Sequence, residues 1–400
     1  MILVDLTHTS HTRAKTGVQR VSRSLHVALA RRAGHEVRGI TWDPYRRAWR
    51  RLVPFESENL LADDTHHHRA ARWPIGSRLR GTLERWTGIP AQTPLSGSSL
   101  VAPEIFSRET ADRFPGLCSR ISGPRVALFH DAIALKLPEL TPTRTVARFP
   151  AYLRELLMFD GIAAVSQDSR NALVDWWRWM GITDAPEVST IPLGIDEPGD
   201  DPVLARTTSA PVVLCVGTLE GRKNHIALLD ACESLWKQGH CFELRLIGMA
   251  HPDTGKLALQ RVQSLQGSGR PLRYDGAVDE KALCAAYHEC AFTVYPSLME
   301  GFGLPVLESL SYGKPCICSS QGALGESSRD GGCLSLASVD SSSLASAICT
   351  LLTNPEHHHH LSVAARGRTL RSWDTYATDL LTWMQTLPRR AAQDGSPLQG

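Results

Sequence analysis

No apolar run in this chain is longer than a strand. That excludes a transmembrane helix, which needs about 20 consecutive apolar residues. The start, MILVDLTHTS, has no basic stretch ahead of its apolar residues, so no secretory leader is expected. The ten cysteines are scattered, with no C-x-x-C pair and no regular framework, which argues against a disulfide scaffold and points to a reducing, cytoplasmic setting. Cys316 and Cys318 alternate with Ile317 in an expected strand and read as core fillers. The histidine runs, His66 to His68 and His357 to His360, make no ligand cage, because adjacent helical residues point around the circumference. No metal and no cofactor is expected. The basic residues are tied to no nucleic-acid motif, so a nucleic-acid partner is not expected either.

What is present is enough chain for two cores. Four hundred residues, 42% apolar and 21% charged, fit a globular two-domain protein. Proline, glycine, acidic and small polar residues in DEPGDDPVLARTTSAP place an interdomain linker at 196–210. Strands are expected at Ile2 to Leu6, Val37 to Thr41, Val126 to Phe129, Ile162 to Val165 and Ser189 to Pro192 before it. After it they are expected around 212, 244, 273, 292, 315 and 333, each separated by a helix-length stretch. The expected fold class is therefore α/β, with two Rossmann-like doubly wound domains facing across a cleft. The boundaries read as 1–195 for an acceptor-side domain and 211–375 for a C-terminal domain. A helix over 376–388 would cross back to the first domain, leaving 389–400 as a tail.

Residues 295–320, YPSLMEGFGLPVLESLSYGKPCICSS, carry the strongest signal. The run Ala291, Phe292, Val294, Tyr295 reads as a buried parallel strand stopped by Pro296 and Ser297. Gly301 and Gly303 let the backbone approach a ligand, and Pro305 suits the first turn of a helix carrying Leu307, Glu308 and Leu310. The free N–H groups of that turn would face an anion. Glu300 would open the loop beside a bound sugar, and the Glu308 carboxylate has the acceptor capacity to hold two vicinal ribose hydroxyls. Two solvated glutamates on an amphipathic helix are the bland alternative.

A second motif precedes it. VVLCVGTLEGRKNHIALLDAC has a continuous strand from Val212 to Val216, a Gly217-Thr218 turn, and a helix with Ile226, Leu228 and Leu229 on its buried face. Arg222 and Lys223 thus fall at the carboxyl end of a strand, where open α/β sheets bind ligands. A planar fork and a mobile point charge side by side suit a diphosphate.

EGFGLPVLE resembles the E-x7-E signature of retaining GT-B glycosyltransferases of family 4, the group 1 glycosyltransferases, and is similar to their mannosyltransferase-like members. In that family the first glutamate contacts hydroxyls of the transferred sugar and the second binds the nucleotide ribose, so the resemblance implies those roles for Glu300 and Glu308. It also implies that the amides of Gly301, Phe302, Gly303 and Leu304 hold the sugar and the distal phosphate. GTLEGRKN, beginning at Gly217, resembles the family's pyrophosphate clamp. Arg222 and Lys223 would then meet the leaving-group charge without a metal. Base recognition would fall in the loop from Tyr274 to Val278.

In the N-terminal half, Gly17 precedes a helix on which Val18, Val21, Leu25, Ala28 and Leu29 recur at helical spacing. In related enzymes a glycine here lies against the donor phosphates, although many carry a glycine pair where this chain has Thr16-Gly17. Arg13, Lys15 and Arg20 are candidates for phosphate or acceptor contacts, with simple solvation as the alternative. His130-Asp131 ends the strand RVALFHD, and FHDAIALKLPE resembles the family's HD segment. That implies His130 near the reaction centre and the sugar's 6-hydroxyl, with Asp131 orienting its ring. Ser166 and Ser169 in AAVSQDSRNAL resemble a VSxxS element, and helix capping explains them equally well.

Charge divides unevenly. Residues 1–190 carry 26 Lys+Arg against 19 Asp+Glu, while the whole chain has a net charge of +2. HHHRAARWPIGSRLRGTLERW brings Arg69, Arg72, Arg78, Arg80 and Arg85 together with Trp73 and Trp86, a combination suited to an anionic bilayer or lipid diphosphate acceptors, or to a plain surface insertion. The reading that follows is hexose transfer, with retention, from a nucleoside-diphosphate sugar to a glycan or lipid-linked acceptor hydroxyl. GDP-mannose or a related GDP-sugar is favoured as donor, in bacterial surface polysaccharide assembly. The site would be cytoplasmic, with peripheral contact at the inner membrane. UDP- or dTDP-sugar transfer, a GT-B sugar-nucleotide epimerase and a non-catalytic sugar-nucleotide binder are the alternatives.

Overall fold

The computed structural model describes residues 1–13, 17–61, 73–87, 95–196, 198 and 210–390. Lys15, Arg69, Arg72, the first histidine run, most of the 196–210 segment and the tail beyond 390 lie outside the described residues. Two sheets organise the chain. The first contains β1 (Ile2–Asp5), β2 (Val37–Asp43), β3 (Ala48–Arg51), β4 (Ser99–Ala102), β5 (Arg125–Phe129), β6 (Gly161–Ala164) and β7 (Glu187–Thr190), in the order β3-β2-β1-β4-β5-β6-β7. All its pairings are parallel except the β2–β3 edge hairpin. The second contains β8 (Val212–Val216), β9 (Glu243–Ile247), β10 (Leu272–Tyr274), β11 (Phe292–Tyr295), β12 (Cys316–Ser319) and β13 (Cys333–Leu336), in the order β10-β9-β8-β11-β12-β13, parallel throughout.

The central parallel strands are buried on both faces, which is why they read as near-continuous apolar runs. Leu3, Leu100, Ala127 and Ile162 face a cluster with Phe114, Tyr152 and Trp177. Val4, Val101, Leu128 and Ala163 face the other side, against Val21, Leu25 and Leu29 of helix α1 (Gly17–Ala33). The same cluster takes in Trp373, Tyr376, Leu380 and Met384 of the helix Trp373–Thr386, which crosses back to the first domain. Truncating one such leucine to alanine costs about 2–5 kcal/mol. The chain leaves the first domain past Ile195, whose N–H donates to the Arg371 carbonyl at 2.9 Å, and the returning helix spans Trp373–Thr386.

Two strands were not expected from sequence. β3 offers only Ala48 and Trp49 beside two arginines, and it exists because Asp43 Oδ1 accepts from the Tyr45 and Arg46 amides at 3.0 Å and turns the chain back. β4 is four residues of ordinary apolar pattern between irregular segments. Helix α2 (Pro54–Leu61) and helix α3 (Ile75–Thr87) follow the β2–β3 hairpin on this domain's edge.

Candidate active site

The carboxyl ends of the two sheets face each other across a cleft of about 610 Å³. Open α/β sheets leave their free loop amides and strand-end side chains at this edge. The cleft is lined from the second domain by Gly217, Arg222, Lys223, Val278, Glu300 and the Gly301–Leu304 loop, with Glu308 behind them. From the first domain it is lined by Gly17, Arg20, His130 and Asp131.

Glu300 is the hub. Its Oε2 lies 2.8 Å from Arg222 Nη1 and its Oε1 lies 2.6 Å from Lys223 Nζ. At that separation the lysine ammonium, with three rotatable N–H donors, satisfies Oε1. Burial alone would raise the Glu300 pKa, but the charges and hydrogen bonds of Arg222 and Lys223 outweigh it and bring it to about 2. Burial pushes the Lys223 ammonium below its usual value, and Glu300 opposes this. Lys223 also donates to the Tyr295 hydroxyl and stands 4.5 Å from that ring's centroid. Arg222 is held on its other side by Glu220 at 2.7 Å, and it donates to the Met299 carbonyl at 3.2 Å.

The loop that carries Glu300 turns into the helix Leu304–Ser311 through Gly303, which caps it at φ +99°. No side chain is tolerated cheaply there, since a Cβ would also meet Leu324 at 2.8 Å. Glu308 emerges from this helix with Oε2 accepting from the Tyr287 hydroxyl at 3.0 Å. Its Oε1 pairs with Arg20, which reaches across from α1 and also contacts Asp196 at 3.1 Å. The Glu308 charge is the main cause of the raised Arg20 pKa. Any ligand taken by Glu308 must therefore share or replace Arg20.

His130, at the end of β5, donates from Nε2 to the Pro103 carbonyl at 2.7 Å. This leaves Nδ1 as the accepting nitrogen, and burial lowers the pKa, so the ring is neutral at pH 7. Asp131 does not orient that ring, contrary to the sequence expectation. Its Oδ1 instead accepts from the Ile133 amide at 3.0 Å, because the chain turns into a short helix immediately after it. The His130 carbonyl accepts from the Ser169 hydroxyl at 2.9 Å, and that hydroxyl lies 3.3 Å from the Gly301 carbonyl. Beside this contact, the Gln167 and Asp168 amides at a helix start donate to Glu326 of the other domain at 2.9 and 2.8 Å. The domains are thus clasped at one corner of the cleft.

Two other candidates, Arg13 and Ser166, do not line the cleft, whereas Gly17 lines it at its edge. Arg13 donates to Asn59 Oδ1 at 3.0 Å and does not line the cleft. Ser166 accepts from the Ser169 amide at 3.1 Å as the cap of the helix Gln167–Trp179, the structural alternative. Gly17 is the first residue of α1 rather than its predecessor, and a Cβ there would meet nothing within 4 Å. Lys15 lies outside the described residues. Sequence reasoning missed Tyr295, Tyr287, Glu220 and Asp196 as partners of the charged groups. Only Glu220, two residues from Arg222, left a signal in the GTLEGRKN string.

Comparison with known proteins follows the same division. Residues 197–368 match the family described as Glycosyl transferases group 1. The serotype-specific mannosyltransferase WbdA of Escherichia coli is 26% identical over 342 residues, covering 79% of this chain and 38% of WbdA, so the chain spans well under half of that relative. The O-antigen chain mannosyltransferase B of E. coli is 32% identical over 218 residues, 52% of this chain and 56% of that protein. Among solved structures, sucrose-phosphate synthase from Thermosynechococcus elongatus superposes with a TM-score of 0.68 at 20% identity, covering 96% of this chain and 98% of that one. Anabaena Alr3699/HepE, in complex with UDP and glucose, does so at 0.64 and 16%, covering 96% and 99%. These likenesses establish the GT-B fold, two parallel-sheet α/β domains about a cleft.

Proposed function

We propose, from the match of residues 197–368 to the family described as Glycosyl transferases group 1, that the chain transfers a hexose from a nucleoside-diphosphate sugar to an acceptor hydroxyl, with retention of configuration. The observation that carries this reading is Glu300 bridging Arg222 and Lys223, one carboxylate oxygen on each, in the same cleft as Glu308. In this reading the diphosphate takes over the two cations from Glu300, and the carboxylate turns to the sugar hydroxyls. Cations prearranged in a water-poor cleft stabilise a leaving group's developing charge without reorganising. No step requires a metal. Neutral His130, fixed through Nε2, offers Nδ1 to the sugar. In a retaining reaction the acceptor approaches from the face the diphosphate leaves, so a diphosphate oxygen takes its proton.

GDP-mannose is the favoured donor, supported by the mannosyltransferase relatives, and the acceptor is a glycan or lipid-linked glycan of a bacterial surface polysaccharide. A UDP-sugar is the second reading, favoured by the structural likeness to a protein solved with UDP. A thermal-shift panel of GDP-, UDP-, dTDP- and ADP-sugars separates them, because a ligand that binds only the folded state raises the melting temperature. GDP-mannose is expected to give the largest shift and to be turned over to GDP with a lipid-linked acceptor extract. Glu300→Gln and Lys223→Ala are expected to abolish transfer in folded protein. Wild-type activity in either variant would refute the site, and a shift with UDP-sugars alone would refute the donor.

A further inference from the structure

Helix α3 packs on its domain through its small and charged face and turns its apolar face outward. Gly81 is buried, with its Cβ position 3.0 Å from Tyr45. One turn on, Glu84 accepts from Arg46 Nε at 2.6 Å. On the opposite side Ile75, Leu79, Leu83 and Trp86 are 74, 68, 65 and 83% exposed. Their spacing of four, four and three stacks them into one stripe. Single exposed apolar residues are ordinary, but four in line on a thirteen-residue helix are not.

At about 100° per residue, Arg78 and Arg85 flank the stripe on one side and Arg80 on the other. Trp73, which the sequence grouped with them, faces inward, stacked on His11 with ring centroids 3.8 Å apart. The charge pattern selects the occupant. A second copy docked stripe to stripe would bring six arginines together, whereas lipid phosphates would pair with Arg85 and the outer N–H groups of Arg78 and compete with Glu84, 2.7 Å away, for Arg80. At about 20 Å the helix is too short to cross a bilayer, and no helix among the described residues is long and apolar enough to do so.

We propose that α3 is an interfacial anchor, its Ile75–Leu79–Leu83–Trp86 stripe lying in the headgroup boundary of an anionic bilayer and its arginines on lipid phosphates. The anchor stands whichever donor the cleft takes. It gains purpose from a lipid-linked acceptor, since Leu61, at the end of α2 on the same domain edge, is 71% exposed and lines the cleft.

The test is sedimentation of the full chain with vesicles of phosphatidylcholine alone, or mixed equally with phosphatidylglycerol. Binding is expected to the mixed vesicles and to weaken with salt. Leu79→Ser with Leu83→Ser should lower the partition coefficient by about tenfold or more, and Arg78→Glu with Arg85→Glu by at least about tenfold. The serine variant should keep the wild-type melting temperature, because its changed side chains are exposed, and the charge variant should melt slightly lower, because Arg78 also donates to the Trp73 carbonyl at 3.0 Å. Three results overturn the proposal: no binding to the mixed vesicles, binding unaffected by the serine substitutions, or a dimer in solution that those substitutions dissolve while vesicle binding is unaffected.

Discussion

Gly301→Ala tests whether the clasp between the domains sets the catalytic geometry. A Cβ at Gly301 would lie 2.1 Å from the His130 carbonyl oxygen and 3.1 Å from Asp131 Cβ, and real Cβ atoms essentially never approach within 3.0 Å. The closest contact is with backbone on both sides of the cleft, so no flexible side chain can yield. Loop and strand end must separate by about 0.9 Å, the difference between those two distances. That moves Glu300 and His130 apart, since each adjoins the contact. A misplacement near 1 Å costs on the order of 100-fold in rate, equivalent to about 2.7 kcal/mol of barrier. The assay is release of nucleoside diphosphate from the donor that the thermal-shift panel selects, at saturating acceptor. Turnover is expected to fall about 100-fold, while nucleoside-diphosphate affinity changes by less than about threefold, because Arg222, Lys223 and Glu308 belong to one domain. The melting temperature should be nearly unchanged. Turnover within about threefold of wild type would refute the reasoning, as would loss of nucleotide affinity in step with turnover.

Further outcomes follow from the same geometry. Glu308→Ala should weaken GDP or UDP binding by roughly 10- to 100-fold, the range for hydrogen bonds to a charged group. It should also erase the preference for the ribonucleotide over its 2′,3′-dideoxy analogue, and calorimetry that finds the preference intact would exclude the ribose role. His225 is buried with neither ring nitrogen hydrogen-bonded among the described residues, and burial, with the Lys223 charge, lowers its pKa to about 3. Below the ordinary histidine value the unfolded chain takes up a proton that the folded one refuses, so stability falls as pH drops. Between pH 7 and 5 urea unfolding of wild type should lose about 2 kcal/mol more than His225→Leu; equal losses would show that the ring is charged or solvated.

The site's second-domain half was legible because its chemistry is local. A strand stop, two glycines and a proline within ten residues announced the loop from Tyr295, and Arg222-Lys223 announced themselves by following a strand. The central parallel strands were legible because burial on both faces writes an apolar run. β3 was not, since its place depends on Asp43 capping a turn rather than on its own residues. Asp131 was misread because adjacency to His130 in sequence does not supply a hydrogen bond, and the Pro103 carbonyl, 27 residues away, does.

The amino-acid sequence by itself determined two doubly wound domains, the acidic pair Glu300 and Glu308, and the basic pair Arg222 and Lys223 at a strand's carboxyl end. Periodicity, strand ends and turn residues act within a few residues, so they survive in a linear reading. Only the tertiary structure decided that Glu300 holds both cations, that Arg20, 288 residues away, occupies Glu308, and that Gly301 admits no side chain beneath His130. It also decided that α3 presents its apolar stripe outward. Each of these depends on which surfaces meet, and the packing of two domains through many weak contacts leaves no single mark in the chain.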